Sequence, residues 1–128
     1  MTMKKSILFA LLMLGSFTLV QAQQKKQPML RHVVMFGWKE GTDTASINKV
    51  VNAFRALPSQ IDLIKGLEWG VNNSPEKLNQ GLTHCFFLSF TSEKDRDAYL
   101  IHPAHKAFVA SLVPAPDKVT VLDYWSHQ

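Results

Sequence analysis

The stretch "AYLIHPAHKAF" sets Tyr99, His102 and His105 within seven positions, with Pro103 and Ala104 between the two histidines. These residue types at this spacing admit three chemistries. Two imidazoles an i,i+3 step apart can begin a metal site, but a catalytic metal generally takes three protein ligands with supporting hydrogen bonds. An imidazole beside a phenol can instead serve as general base and hydrogen-bond donor. The third duty is structural. Proline is favoured at the first position of a helix, which makes His102 the N-cap and sets His105 in the opening turn. The positive end of that helix disfavours an imidazolium, so His105 is expected to be neutral near neutral pH, as a general base must be.

The elements that position these residues follow from patterning. "LRHVVMFGW" (30–38) reads as a strand, with Leu30, His32, Val34, Phe36 and Trp38 on one face and Val33 and Met35 on the other. "GTDT" supplies cap chemistry, and Ile47, Val50, Val51, Phe54 and Leu57 recur at helical spacing until Pro58, which is expected to close the helix. A second strand is expected from about residue 64, with Leu67, Trp69 and Val71 alternating. A third, "LTHCFFLSF" (82–90), puts His84, Phe86, Leu88 and Phe90 on one face. Ser92 can cap the helix "EKDRDAYL", a second helical piece begins at Pro103, and "VTVLDYW" (119–125) is a last strand.

The order β-α-β-β-α-β closes most naturally as an α+β, ferredoxin-like fold: a four-stranded antiparallel sheet with the helices on one face. Its first and third strands are then central neighbours. The sheet's other face would expose Val33, Met35, Cys85 and Phe87, an apolar patch that a second copy would cover. A homodimer with its sheets facing each other as an α/β barrel is therefore expected. The antiparallel pairing of first and last strands also allows His32 and Asp123 to meet at one end of the sheet. His84 should lie toward the other end.

The chain outside this unit is short. "MTMKK", the uncharged run "SILFALLMLGSFTLV" and the small-residue ending at Ala22 form the three-part pattern of a secretory signal peptide over residues 1–22. The run is short for a membrane span of ~20 residues. Residues 23–29 read as a flexible polar tail and 30–126 as one domain. A secreted or periplasmic protein is expected, with no membrane attachment after cleavage. The formal net charge is +4, but Lys4 and Lys5 belong to the leader, and no basic face interleaved with aromatics points to nucleic acid. Cys85 is the only cysteine and cannot form an intrachain bridge.

The segments "HVVMFGWKEGT", "LEWGVNNSPEKLNQGLTHCFFLSFTSEKDRDAYLIHPAHKAFV" and "VTVLDYW" together resemble the stress-responsive α/β-barrel (Dabb) family, a branch of the dimeric α+β barrel proteins. The resemblance implies the same fold and dimer. More distantly, the chain is similar to polyketide cyclases of the olivetolic acid cyclase type, which close a ring by intramolecular aldol condensation. Aligned through "YLIHPAH", that likeness implies a base at His105 and an assisting tyrosine at Tyr99. It also implies that His32, His84 and Asp123 correspond to family positions.

Two functional classes follow. The first is a secreted module that binds a small apolar, carbonyl- or phenol-bearing ligand between sheet and helices. The second is a cofactor-independent cyclase or lyase-like enzyme, with His105 as base and Tyr99 as donor. In either case His32, Asp123, His102, Val34, Phe36, Phe54, Phe86 and Leu88 are expected to line or support the pocket. No metal and no cofactor is expected.

Overall fold

The computed structural model describes residues 26–127. The expected signal peptide over 1–22 lies outside the described residues. The chain runs β1 (Leu30–Gly37), α1 (Thr44–Arg55), α2 (Leu57–Gln60), β2 (Gly66–Val71), β3 (His84–Phe90), α3 (Glu93–Ile101), α4 (Pro103–Ala110) and β4 (Lys118–Trp125). The four strands form one open antiparallel sheet in the order β2-β3-β1-β4. This is the ferredoxin-like arrangement, with the two apolar strands β1 and β3 at its centre.

Local chemistry sets most element boundaries. Asp43 caps α1 by accepting from the Ser46 N–H at 2.8 Å, and Ser92 caps α3 by accepting from the Asp95 N–H at 3.0 Å. The expectation for Pro58 needs correction. Helix α1 already ends at Arg55, and Pro58 sits in the first turn of the short α2. A proline lacks an N–H, and the first turn of a helix does not need one, so it can open a helix as well as end one. The second and third strands begin two residues later than expected, at Gly66 and His84.

The core lies between the helices and the β1–β3 centre of the sheet. Phe54 of α1 stacks on Phe86 of β3 with ring centroids 4.0 Å apart and planes 2° from parallel. Phe36 and Phe108 close around that pair. The helices leave the Val119–Val121 part of the edge strand β4 uncovered. Val119 and Val121 pair with Phe36 and Val34 and so share the helix-side face. They nevertheless stay 55% and 52% exposed.

The opposite face carries the apolar surface expected from the pattern. Val33, Met35, Cys85 and Phe87 are half-buried there, and Leu122, paired with Val33, is 57% exposed. The Arg31 guanidinium lies 5.2 Å from the Phe87 ring centroid and also bonds the Ser89 hydroxyl. At the far end of the sheet, Gly37 passes so close to the 72–83 connection that a β-carbon there would meet the Gly81 carbonyl oxygen at 2.4 Å.

Candidate functional site

The break between α3 and α4 builds one wall of the site. Proline disfavours helical backbone in the residue before it, and His102 is accordingly extended (φ −62°, ψ 137°). Its Nδ1 accepts the Ala104 N–H at 3.0 Å, so His102 is the N-cap of α4 and a support rather than part of the cavity wall. One turn on, His105 turns back toward α3, and its Nδ1 lies 3.1 Å from the Leu100 carbonyl oxygen. A carbonyl can only accept, so Nδ1 carries the proton and Nε2 of the neutral ring keeps its lone pair. Burial holds His105 below the ordinary histidine range. The Leu100 bond opposes that shift, and the neighbouring His32 and His102 add slightly to it. Neutrality was anticipated from the helix dipole, but the leading cause is burial.

Tyr99 stands between two histidines. Its ring centroid is 4.4 Å from that of His105 and 5.7 Å from that of His32. The residue is 1% exposed, and burial first, then the Asp123 charge, raises its phenol well above the usual tyrosine range. The hydroxyl therefore stays protonated and keeps its O–H available as a hydrogen-bond donor.

Beyond Tyr99 the site becomes polar. His32 Nδ1 lies 2.6 Å from Asp123 Oδ1, the meeting expected from strand topology. The other oxygen, Asp123 Oδ2, accepts from Arg96 Nη1 at 2.5 Å, and Arg96 Nε donates to Asp97 at 2.8 Å. Arg96 is a residue that sequence reasoning missed. Its signal was present: it lies three positions before Tyr99, and residues i and i+3 share one helix face.

These groups surround a cavity of about 510 Å³ between sheet and helices. His32, Arg96 and Asp123 make its polar end, Tyr99 and His105 its middle, and Val34, Phe36, Phe54 and Phe108 its apolar end. Val119 and Val121 form the rim on the β4 side. The structure thus brings together His105, Tyr99, His32, Asp123, Val34, Phe36 and Phe54. Phe86 and Leu88 are not on the cavity wall; both are fully buried in the core, because strand alternation assigns a face but not a depth. His84 lies at the other end of the sheet, where its Nδ1 accepts the Trp38 indole N–H at 3.0 Å. Among the described residues no group of three histidine, cysteine or acidic side chains is arranged to hold a metal.

Residues 30–126 match the stress responsive A/B barrel domain, Dabb. The chain belongs to that family. It is 33% identical over 102 residues to the stress-response A/B barrel domain-containing protein HS1 of Arabidopsis thaliana, covering 80% of this chain and 93% of that one. It is 24% identical over 95 residues to olivetolic acid cyclase of Cannabis sativa, with 74% and 94% coverage. Among solved structures, the hydroxynitrile lyase of Passiflora edulis superposes with a TM-score of 0.74 at 24% identity, over 80% of this Dabb chain and 97% of the lyase. A ferredoxin-like protein of Bacteroides fragilis, described as dimeric and of unknown function, superposes with a TM-score of 0.60 at 26% identity, with 75% and 94% coverage.

Proposed function

We propose that this Dabb protein binds a small, largely apolar molecule bearing a carbonyl or phenolic oxygen. The oxygen lies at Tyr99 and His105, and the hydrocarbon part lies against Phe36, Phe54 and Phe108. One observation carries this reading: a protonated phenol and a bare imidazole Nε2 adjoin each other in a cavity that is otherwise mostly aromatic and aliphatic. Apolar walls with a few convergent polar groups are the general form of a small-ligand site. A volume near 510 Å³ suits a ligand of metabolite size.

Proton transfer is the second reading, and the fixed His105 tautomer favours it. Nε2 can take a proton from a carbon next to a carbonyl, while the Tyr99 hydroxyl donates to that carbonyl's oxygen and stabilises the enolate. The enolate then attacks a second carbonyl through its carbon, or expels a leaving group from the adjacent carbon as a C=C forms, and the proton on Nε2 returns to the product oxygen or leaving group. Relatives named as a cyclase and a lyase support a reaction of this general kind.

The mature protein is secreted or periplasmic and works as a homodimer whose exposed sheet faces pack together. The leader pattern supports the first statement. The apolar open face and the dimeric B. fragilis neighbour support the second. Mass spectrometry of the exported protein should find an N-terminus at Gln23. The site is tested by metabolite profiling with wild type and His105→Ala. Depletion of a compound that stops in the variant, with the fold intact, indicates turnover. Ligand retention without depletion indicates binding alone, and retention unaffected by His105→Ala removes His105 from the site.

A further inference from the structure

We propose that Arg96 is a positioning residue of this cavity, acting through Asp123 to hold His32 as a second bare imidazole nitrogen that faces the ligand. The inference rests on the reading of the cavity as a ligand site.

The geometry runs outward from His32. Asp123 accepts on both oxygens: from His32 Nδ1 at 2.6 Å on Oδ1 and from Arg96 Nη1 at 2.5 Å on Oδ2. A carboxylate only accepts, so a proton of His32 sits on Nδ1, and Nε2 is the ring nitrogen left to meet a ligand. His32 is 5% exposed and lines the cavity. Among the described residues no buried side-chain nitrogen or oxygen is left without a partner, so Nε2, which has none in the protein, keeps its access through the cavity.

Asp123 needs this second anchor because of where it stands. It belongs to the edge strand β4 and its side chain is 24% exposed, so a lone carboxylate there would be free to turn toward water. Arg96 reaches it from α3. Asp97 holds the Arg96 Nε, so the planar guanidinium spans two carboxylates in a fixed orientation. Arg96 also supplies the positive charge that Asp123 requires. The result is a donor, the Tyr99 hydroxyl, between two acceptors, His32 Nε2 and His105 Nε2. That set complements a neutral ligand with one acceptor oxygen and two hydrogen-bond donors.

The test reads the nitrogens directly. Long-range proton–nitrogen spectra of the full domain distinguish Nδ1–H from Nε2–H rings, and a His32→Gln variant assigns the signals. Wild type should show His32 protonated at Nδ1. Arg96→Met should give a mixture of both tautomers at His32 with His105 unchanged, and Arg96→Lys should restore part of the wild-type pattern. With 3,4-dihydroxybenzaldehyde as the probe, Kd should weaken about tenfold in Arg96→Met, equivalent to about 1.4 kcal/mol, and less in Arg96→Lys. An unchanged His32 pattern in Arg96→Met overturns the proposal. If that variant does not fold, Arg96→Lys decides: lysine lacks the fork, so an unchanged pattern there overturns it equally. If wild type fails to bind the probe, the ligand reading suffers while the nitrogen pattern still judges Arg96.

Discussion

At the scale of single residues, the proton on His105 Nδ1 governs the site. It is fixed by one backbone oxygen, Leu100, and by nothing on the cavity side. His105→Gln should keep α4 folded yet abolish any proton transfer, whereas Tyr99→Phe should leave binding of the hydrocarbon part and weaken recognition of the carbonyl by about 1 kcal/mol, read by calorimetry. A pH dependence of stability follows from two half-buried histidines. His84 and His105 are both held below their unfolded value of 6.5 by burial. At a pH below 6.5 the unfolded chain binds protons that the folded chain refuses, so stability is full above about 6.5 and declines as the pH falls toward the depressed folded values. Melting temperature measured from pH 8 to 5 should drop below 6.5, and His84→Gln with His105→Gln should flatten the curve. An unaltered slope in the double variant would refute the assignment. His84 has a further reason to stay neutral, since protonation would cost it the Trp38 hydrogen bond.

At the scale of elements, the α3–α4 break matters most, because it turns one helical stretch into two walls of a cavity. Ser92 starts the first of these, the helix that carries Arg96 and Tyr99. Ser92→Ala should cost about 1 kcal/mol in urea unfolding, with little effect on the strands. Much of this was legible: Ser92 before a charged helix, and His102 before Pro103, are local signals whose physics does not depend on the rest of the fold. Pro58 misled for the same reason, since its ring is compatible with the end of one helix and the start of the next. The meeting of His32 and Asp123 was also legible, because antiparallel pairing fixes which residues face each other. That Phe86 and Leu88 lie in the core beneath the cavity rather than on its wall, and the reach of Arg96, were not. Both depend on how far the helices extend over the sheet, which no single element's pattern records.

At the scale of the whole molecule, the open sheet face divides the surface. Its half-buried Val33, Met35, Cys85 and Phe87, with the more exposed Leu122, are what a stable partner would cover, and a standard interface takes about 800 Å² from each side. Leu122→Asp puts a charge on that face, on its β4 side. Sedimentation velocity should show a dimer for the wild type and a monomer for the variant, while the cavity on the opposite face should keep its ligand. A variant that stays dimeric would place the interface elsewhere.

The bare edge at β4 has a consequence for traffic. Val119 and Val121 stand at the rim of the cavity without a helix above them, so a ligand entering from the β4 side crosses an aliphatic threshold. Admission should then follow oil–water partitioning more closely than molecular shape. In a homologous series of 4-alkylphenols, each added methylene should tighten binding by about 0.8 kcal/mol until the chain outgrows the aromatic end. Charged compounds of the same size should be turned away at the sill, which makes the protein a sorter of molecules by lipophilicity.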